Sequence, residues 1–254
     1  MKTIILCGGL GTRLREETEF KPKPLVMVGP RPILWHIMKI YAHYGYHEFV
    51  LALGYKGEMI KEYFLYERAI SNDFTIDTVN GEISYHTKLN DGFIITFTET
   101  GLDSLTGERI LRAKPYITED EFMVTYGDGV ADINIEQLVS FHRKQGTLGT
   151  VTAVHPYSKY GLLLFDKETG LAKSFVQKPL MGECVNGGFM IFRREVFEYF
   201  DKGDMESVFP RLIEQNQLSV YMHERFFKSM DTHREMQELN EIWKKDRPWA
   251  VWEK

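Results

Sequence analysis

The sequence predicts an α/β fold: a mostly parallel sheet with helices on both faces, plus a smaller second sheet or subdomain after about residue 155. Three observations carry that expectation. Short continuous apolar runs, such as residues 3–7, have the character of strands buried on both faces. Stretches with helical spacing of apolar residues alternate with them through the first half. Beyond that half, strand-like runs crowd together between turn signals.

The elements follow in order. Thr3-Ile4-Ile5-Leu6-Cys7 is the first strand, and a long polar loop runs from Gly8 to about Arg31. Pro32 suits the first position of a helix, where its missing N–H is no loss. Ile33, Leu34, Ile37, Met38 and Tyr41 share one face of that helix, and Gly45 can end it. Residues 49–53 form the next strand and 56–66 the next helix. Further strands fall at 93–97 and 122–126. Asn134 is a good N-cap for a helix through about Lys144, because its side-chain oxygen can take a first-turn N–H. In the second half, 149–154, 161–165 and 171–176 read as short strands. A strand at 189–192 precedes a helix from about Arg194, and 219–222 is another strand. Residues 231–244 have helical periodicity and lead into Trp243, Trp249 and Trp252, an aromatic stripe suited to packing or subunit contact.

The 254 residues allow one large domain or two small ones, and an apolar fraction of 43% suffices for a packed core. Lys+Arg 31 against Asp+Glu 36 gives a net charge of -5, which argues against a nucleic-acid partner but leaves room for a local basic pocket. Cys7 and Cys184 are the only cysteines, too few for a disulfide framework or an all-cysteine zinc site. The first apolar run is too short for a signal-peptide core, and no stretch approaches the ~20 apolar residues of a membrane span. A cytoplasmic protein without a membrane partner is expected.

The loop after the first strand reads Gly8-Gly9-Leu10-Gly11-Thr12-Arg13. Glycines let backbone N–H groups approach an anion and permit positive φ, and ligands of open parallel sheets sit beyond the carboxyl ends of the strands. No Gly-Lys-Ser/Thr follows, so this is not a P-loop. Leu14 occupies the third glycine position of a dinucleotide fingerprint, and residues 18–30 are turn-like. A dinucleotide enzyme also wants an acidic residue about 20 positions on, where this chain has Lys21-Pro22-Lys23-Pro24. Arg13 and lysines held in an extended segment by stiff prolines suit a polyphosphate instead.

These two motifs, with Leu14 and Leu25, resemble the signature of the sugar-1-phosphate nucleotidyltransferases. Arg15-Glu16-Glu17-Thr18 between them resembles the cytidylyltransferase branch. The resemblance continues through Pro32-Ile33-Leu34-Trp35-His36-Ile37-Met38, Gly54-Tyr55-Lys56-Gly57, Tyr126-Gly127-Asp128-Gly129-Val130, Asn186-Gly187-Gly188-Phe189 and Met230-Asp231-Thr232, and so spans nearly the whole chain. It implies a Rossmann-like nucleotidyltransferase fold of the GT-A-like kind. It implies a single domain over 1–254, with 1–150 mainly for the nucleotide and 151–254 mainly for the acceptor and oligomer contacts. The implied partners are CTP and a phosphorylated small-molecule acceptor, by default glucose 1-phosphate, giving CDP-glucose for surface polysaccharides. An acceptor phosphate oxygen would attack the α-phosphorus in line and release pyrophosphate, a step that needs alignment and charge neutralisation.

The resemblance also distributes roles. Arg13, Lys23 and Asp128 are the candidate catalytic residues, Arg13 at the leaving pyrophosphate and Lys23 beside the α-phosphate and the sugar phosphate. Leu6, Gly8, Gly9, Leu10, Gly11, Thr12 and Gly127 would surround the nucleotide. Asp128 and Asp231 would hold Mg2+, which keeps several waters and needs only one or two carboxylates. Asp231 precedes a predicted helix, so N-capping is its competing role. Asp132 reads as a turn residue. Cytosine offers acceptors at O2 and N3 and a donor at N4, and Ser104, Thr106, Gly107 and Arg109 would form its reading loop, although Arg109 also suits a surface ion pair.

Tyr126, Gly161, Gln177, Lys178, Asn186 and Gly187 are the acceptor-side candidates, with Lys178 on the acceptor phosphate. Gln177 departs from the family's usual glutamate, exchanging a charge-assisted acceptor for an N–H donor. Residues 180–185 also depart, which keeps another sugar phosphate or a non-sugar phosphate open as acceptor. A non-catalytic nucleotide-binding subunit is a remote alternative, because Arg13, Lys23, Asp128, Lys178 and Asp231 are all present. His36, His43 and His47 lack metal spacing and read as structural or surface residues, and Cys7 as a small core filler. The tryptophan stripe and family habit imply a homo-oligomer.

Overall fold

In the computed structural model, which describes residues 1–86 and 91–253, the apolar runs become the central strands. β1 (Thr3–Cys7), β2 (Glu48–Leu53), β3 (Ile94–Glu99) and β4 (Glu121–Tyr126) run parallel in the order β3-β2-β1-β4. β5 (Gly129–Ala131) follows β4 directly. Then come β6 (Gly149–Val154), the exposed pair β7 (Gly161–Phe165) and β8 (Ala172–Gln177), the short β9 (Val185–Asn186), and β10 (Met190–Arg193). β11 (Leu218–His223) and β12 (Phe227–Ser229) complete the set. The eight-stranded sheet has the order β9-β6-β10-β4-β1-β2-β3, with β11 parallel to β6. β10 is antiparallel to both β4 and β6, and is where the parallel half turns into a mixed one.

Strand alternation divides the core into two layers. The helices begin with α1 (Ile33–His43), α2 (Gly57–Ile70), α3 (Thr106–Ala113) and α4 (Ile135–Gln145), and Ile5, Phe49, Leu51 and Met123 share a layer with α1, α2, α4 and the C-terminal α6 (His233–Lys245). Ile4, Val50, Phe122 and Val124 face α3 and α5 (Val208–Glu214). Helices therefore cover both faces, and each fully buried aliphatic side chain contributes about 1.5–3 kcal/mol. The predicted smaller sheet is the β7–β8 ladder.

Several boundaries move for local reasons. Pro32 pairs with Met27 in a small ladder and is the N-cap, so the helix begins at Ile33. Lys56 takes φ 51 and is likewise a cap, so α2 starts at Gly57 and runs on to Ile70. After Arg193 there is only a 3-10 segment, Arg194–Glu198, before α5. The hairpin of Phe74–Ile76 with Ile83–Tyr85, and the β5–β12 ladder, had no pattern long enough to read. Trp249 is wholly buried, stacked on Phe226, and donates to His36 Nδ1 at 3.3 Å. This end of the aromatic stripe packs inside the chain and is not available to a subunit contact. His36 is a core residue, as expected, and so is Cys7. Among the described residues no helix is long and apolar enough to cross a membrane.

Candidate active site

The chain leaves β1 at the carboxyl end of the parallel strands and turns through the glycine loop. The Gly8 carbonyl accepts from the Tyr55 amide at 3.2 Å and from Arg109 at 3.0 Å. A Cβ on Gly8 would stand 2.0 Å from Arg109 Nη1, so only glycine lets the guanidinium pass. Gly11 sits at φ 64, a left-handed turn that favours glycine. The Thr18 hydroxyl donates to the Gly11 carbonyl at 3.0 Å and to Leu14 at 2.9 Å, and Tyr55 donates to the Thr18 carbonyl at 3.1 Å. The loop is thus held from behind. The amides of Gly9, Leu10 and Gly11 meet no acceptor among the described residues and remain available to an anion.

The Lys-Pro-Lys-Pro segment is not extended throughout. Pro22 is extended, but Lys23–Leu25 forms a 3-10 turn, with the Leu25 amide on Pro22 O at 2.8 Å. Pro24 has no N–H to lose at the second position of such a turn. The turn gives the two lysines different partners. Lys21 pairs with Glu17 at 3.0 Å, while Lys23 Nζ reaches Asp128 Oδ2 at 2.6 Å and Asp231 Oδ1 at 2.7 Å.

Those aspartates come together through the short ladder. Asp128 lies in the turn between β4 and β5, and β5 pairs with β12 up to Ser229 opposite Gly129. The Met230 amide then donates to the Asp128 carbonyl at 2.9 Å, which delivers Asp231 beside it. Asp231 does not cap α6. Thr232 does, in a reciprocal capping box with Glu235, and this leaves the Asp231 carboxylate to the site. Burial pushes the Asp231 carboxyl up, but Lys23, Arg13 and Lys159 together outweigh burial and hold it below its usual value. Burial likewise pulls Lys23 down, and the Asp128 and Asp231 carboxylates reverse that. Arg13 reaches Asp231 at 3.4 Å from an exposed position.

These groups line one cavity of about 590 Å³, a size suited to a small ligand. Leu6, Gly8, Gly9, Leu10, Gly11, Thr12, Arg13, Lys23, Ser104, Thr106, Arg109, Tyr126, Gly127, Asp128 and Asp231 all line it. Gly107 does not: its amide donates to Gly203 O at 2.9 Å and its Cα packs against that backbone. Arg109 is no surface ion pair. It is 4% exposed, and its Nη1 and Nη2 donate to Leu53 O, Thr100 Oγ1, Gly101 O, Gly8 O and Leu102 O. Arg112 is the residue that pairs with Glu108. Ser104 donates to the Thr100 carbonyl. Asp132 is not a plain turn residue, since it is buried 3.2 Å from His223 Nε2.

The acceptor candidates divide. Tyr126 lines the cavity, donates to Glu206, and accepts from Asn186 Nδ2 at 3.0 Å. Burial first, then the Glu206 carboxylate, raises the Tyr126 hydroxyl pKa, so it stays protonated. Gly187 is seated on Thr152 O at 2.8 Å. Gly161 and Gln177 face each other at the base of the β7–β8 ladder, and Lys178 follows at φ 48; none of these three lines the cavity. Thr18, Tyr55, Asp204 and Glu206 join the site without having been assigned to it from sequence. Their contributions run through tertiary contacts that no local spacing announces.

Two carboxylates that converge on one cation, here the Lys23 ammonium, are a donor set that fits a hard divalent ion completing its shell with water and phosphate oxygens.

The nucleotidyl transferase family model matches residues 2–244. The chain belongs to the nucleotidyl transferase family. Within that family it is 45% identical over 258 residues to a probable glucose-1-phosphate cytidylyltransferase of Bacillus subtilis (strain 168), covering 99% of this chain and 100% of the relative. It is 40% identical over 259 residues to a glucose-1-phosphate cytidylyltransferase of Salmonella typhi, covering 100% of both. The crystal structure of a UDP-glucose pyrophosphorylase complexed with UDP-glucose superposes with a TM-score of 0.69 at 15% identity, over 97% of this chain and 99% of that one. That last likeness is one of fold. The nucleotidyl transferase fold expected from the motifs is thus the fold observed.

Proposed function

We propose that this enzyme transfers the cytidylyl group of CTP to glucose 1-phosphate, forming CDP-glucose and pyrophosphate. The observation that carries the reading is the full-length identity of 40–45% to chains named for that reaction. The same likeness favours glucose 1-phosphate over the other acceptors that Gln177 left open. It also speaks against a non-catalytic subunit.

The glucose 1-phosphate oxygen attacks the α-phosphorus, the bond to the bridging oxygen of the β-phosphate breaks, and its electron pair leaves with pyrophosphate. Lys23 neutralises charge on the α-phosphate and the incoming sugar phosphate. Arg13, at the exposed rim, holds the departing pyrophosphate. Magnesium, held by Asp128 and Asp231, would shield the triphosphate's charge when bound. The free amides of residues 9–11 grip phosphate oxygens, with Leu6, Gly8, Thr12 and Gly127 shaping the nucleotide's surroundings. Ser104, Thr106 and the loop that Arg109 anchors read cytosine, and Gly107 acts by docking α3. Tyr126, Asn186, Gly187, Gly161, Gln177 and Lys178 serve the acceptor, so residues 1–150 carry mainly the nucleotide and 151–254 mainly the sugar phosphate.

We place the reaction in the cytoplasm and its product in surface-polysaccharide synthesis, as the motif resemblance implies. The enzyme works as a homo-oligomer: Leu163, Phe165 and Phe175 on the β7–β8 ribbon are 56%, 53% and 63% exposed, and such a ribbon gains from a partner.

The test is pyrophosphate release with magnesium, pairing CTP, UTP, dTTP and ATP with glucose 1-phosphate and other sugar phosphates. Turnover is expected with CTP and glucose 1-phosphate. Turnover confined to another nucleotide or another acceptor overturns the substrate assignment.

A further inference from the structure

Lys23 stands where the carboxylates of Asp128 and Asp231 meet. Its ammonium is 2.6 Å from one and 2.7 Å from the other, and its side chain is only 14% exposed. Arg13 also approaches Asp231, but at 3.4 Å and from a side chain that is 69% exposed. The two cations therefore differ in kind: Arg13 adds field at the rim, whereas Lys23 fills the space between both oxygens. A divalent ion bound by those same oxygens needs that space, and two cations cannot share it.

We propose that Lys23 is the metal's intramolecular competitor: in the substrate-free protein its ammonium occupies the divalent-cation position between Asp128 and Asp231, and it must swing off before metal is held there. This rests on the reading of the two aspartates as metal ligands. The nucleotide's triphosphate is the anion that draws Lys23 away, since the lysine sits beside the unpaired amides of residues 9–11 in the same cavity. One side chain then has two stations, the carboxylates of Asp128 and Asp231 and the phosphates of the nucleotide. Metal and triphosphate consequently bind with positive coupling, each making the other's station available. The device keeps two adjacent carboxylates neutralised when no substrate is present, and it makes metal retention conditional on nucleotide.

The test is a titration of the nucleotide-free protein with Mn2+, following the free ion by electron paramagnetic resonance. Lys23→Met keeps the side-chain bulk and removes the charge. It is expected to bind Mn2+ at least about fivefold more tightly than wild type, the low end of ordinary coupling between sites. Arg13→Met removes a nearby positive charge without opening the position, and a change of less than about twofold is expected. Lys23→Gln, which also removes the charge and has a shorter side chain, is expected to tighten Mn2+ binding in the same direction and serves if Lys23→Met folds poorly. Equal affinity in wild type and both Lys23 variants overturns the competition while the aspartates keep their role as ligands. Equal gains from the Arg13 and Lys23 variants also overturn it, because general electrostatics then suffices. If Mn2+ bound by the Lys23 variants is unaffected by adding Asp128→Asn, the ligand reading falls and the competition with it.

Discussion

Arg109 donates to the Gly8 carbonyl at 3.0 Å, joining the glycine loop to the segment after β3 across a hundred residues of chain. The same guanidinium bonds Gly101 O and Leu102 O at 2.8 and 3.1 Å, so one buried side chain sets the spacing of the two loops that border the cavity. Arg109→Lys supplies one point donor for five acceptors. Leaving buried carbonyls unsatisfied typically costs 1–3 kcal/mol. A loss of about 3 kcal/mol in urea unfolding is expected, together with a raised KM for CTP. Stability within about 0.5 kcal/mol of wild type, the usual range of a surface change, would sink this role.

Asp231 and Thr232 are neighbours with separate duties, and substitution should separate them. Asp231→Asn removes half of the anionic pair that Lys23 bridges, and turnover is expected to fall at least about tenfold, as is usual when charge stabilisation at the reacting phosphates is lost. Thr232→Ala removes the α6 cap and should cost about 1 kcal/mol of stability while leaving turnover within about twofold. Asp128→Asn and Lys23→Ala belong with Asp231→Asn. Steady-state kinetics beside thermal unfolding reads both quantities, and a Thr232 variant that loses turnover while Asp231→Asn keeps it would reverse the assignment.

This pair also shows how far the sequence could be read. The glycine loop, Lys23, Asp128 and Asp231 were legible because each stands in a short motif beside an element whose period is plain. The choice between capping and site duty for Asp231 was not, because it depends on Glu235 folding back onto Thr232. Arg109 was legible as a residue at the candidate site, where it lines the cavity, but not as a buried anchor, since its five acceptors lie on three separate segments. Glu206 and the β5–β12 ladder left no trace in any window, because each is defined only by what the fold brings opposite it. The helix starts moved by one residue at Pro32 and Lys56 for a similar reason: a cap's dihedrals answer to its tertiary neighbours.

The β7–β8 ribbon tests the assembly. Leu163 and Phe175 are directly paired across the ladder, and both are more than half exposed, at 56% and 63%. Cross-strand apolar pairs stabilise a ribbon, but two strands alone are marginal in water. Light scattering coupled to size exclusion should find wild type larger than a monomer, and Leu163→Asp with Phe175→Asp should shift it to the monomer mass. A wild type of monomer mass, or a double variant whose mass does not change, would remove the ribbon from the interface.

His36 predicts an acid limit. Its Nε2 lies 2.8 Å from Val28 O and its Nδ1 accepts from Trp249, so both ring nitrogens are satisfied by the neutral tautomer. Burial pulls its pKa down from 6.5 to about 4. The unfolded chain therefore takes up a proton as pH falls below 6.5, while the native protein refuses it until about pH 4. The contribution is fully present above pH 6.5 and drains away as pH falls towards 4, by on the order of 3 kcal/mol in all. His142 is also depressed, by burial first, and adds slope in the same sense. His36→Gln can still donate to Val28 and accept from Trp249 but cannot titrate. Urea unfolding followed by tryptophan fluorescence at pH 7, 6 and 5 should therefore show a shallower loss of stability in the variant than in wild type. Parallel losses would mean that His36 carries none of the acid sensitivity.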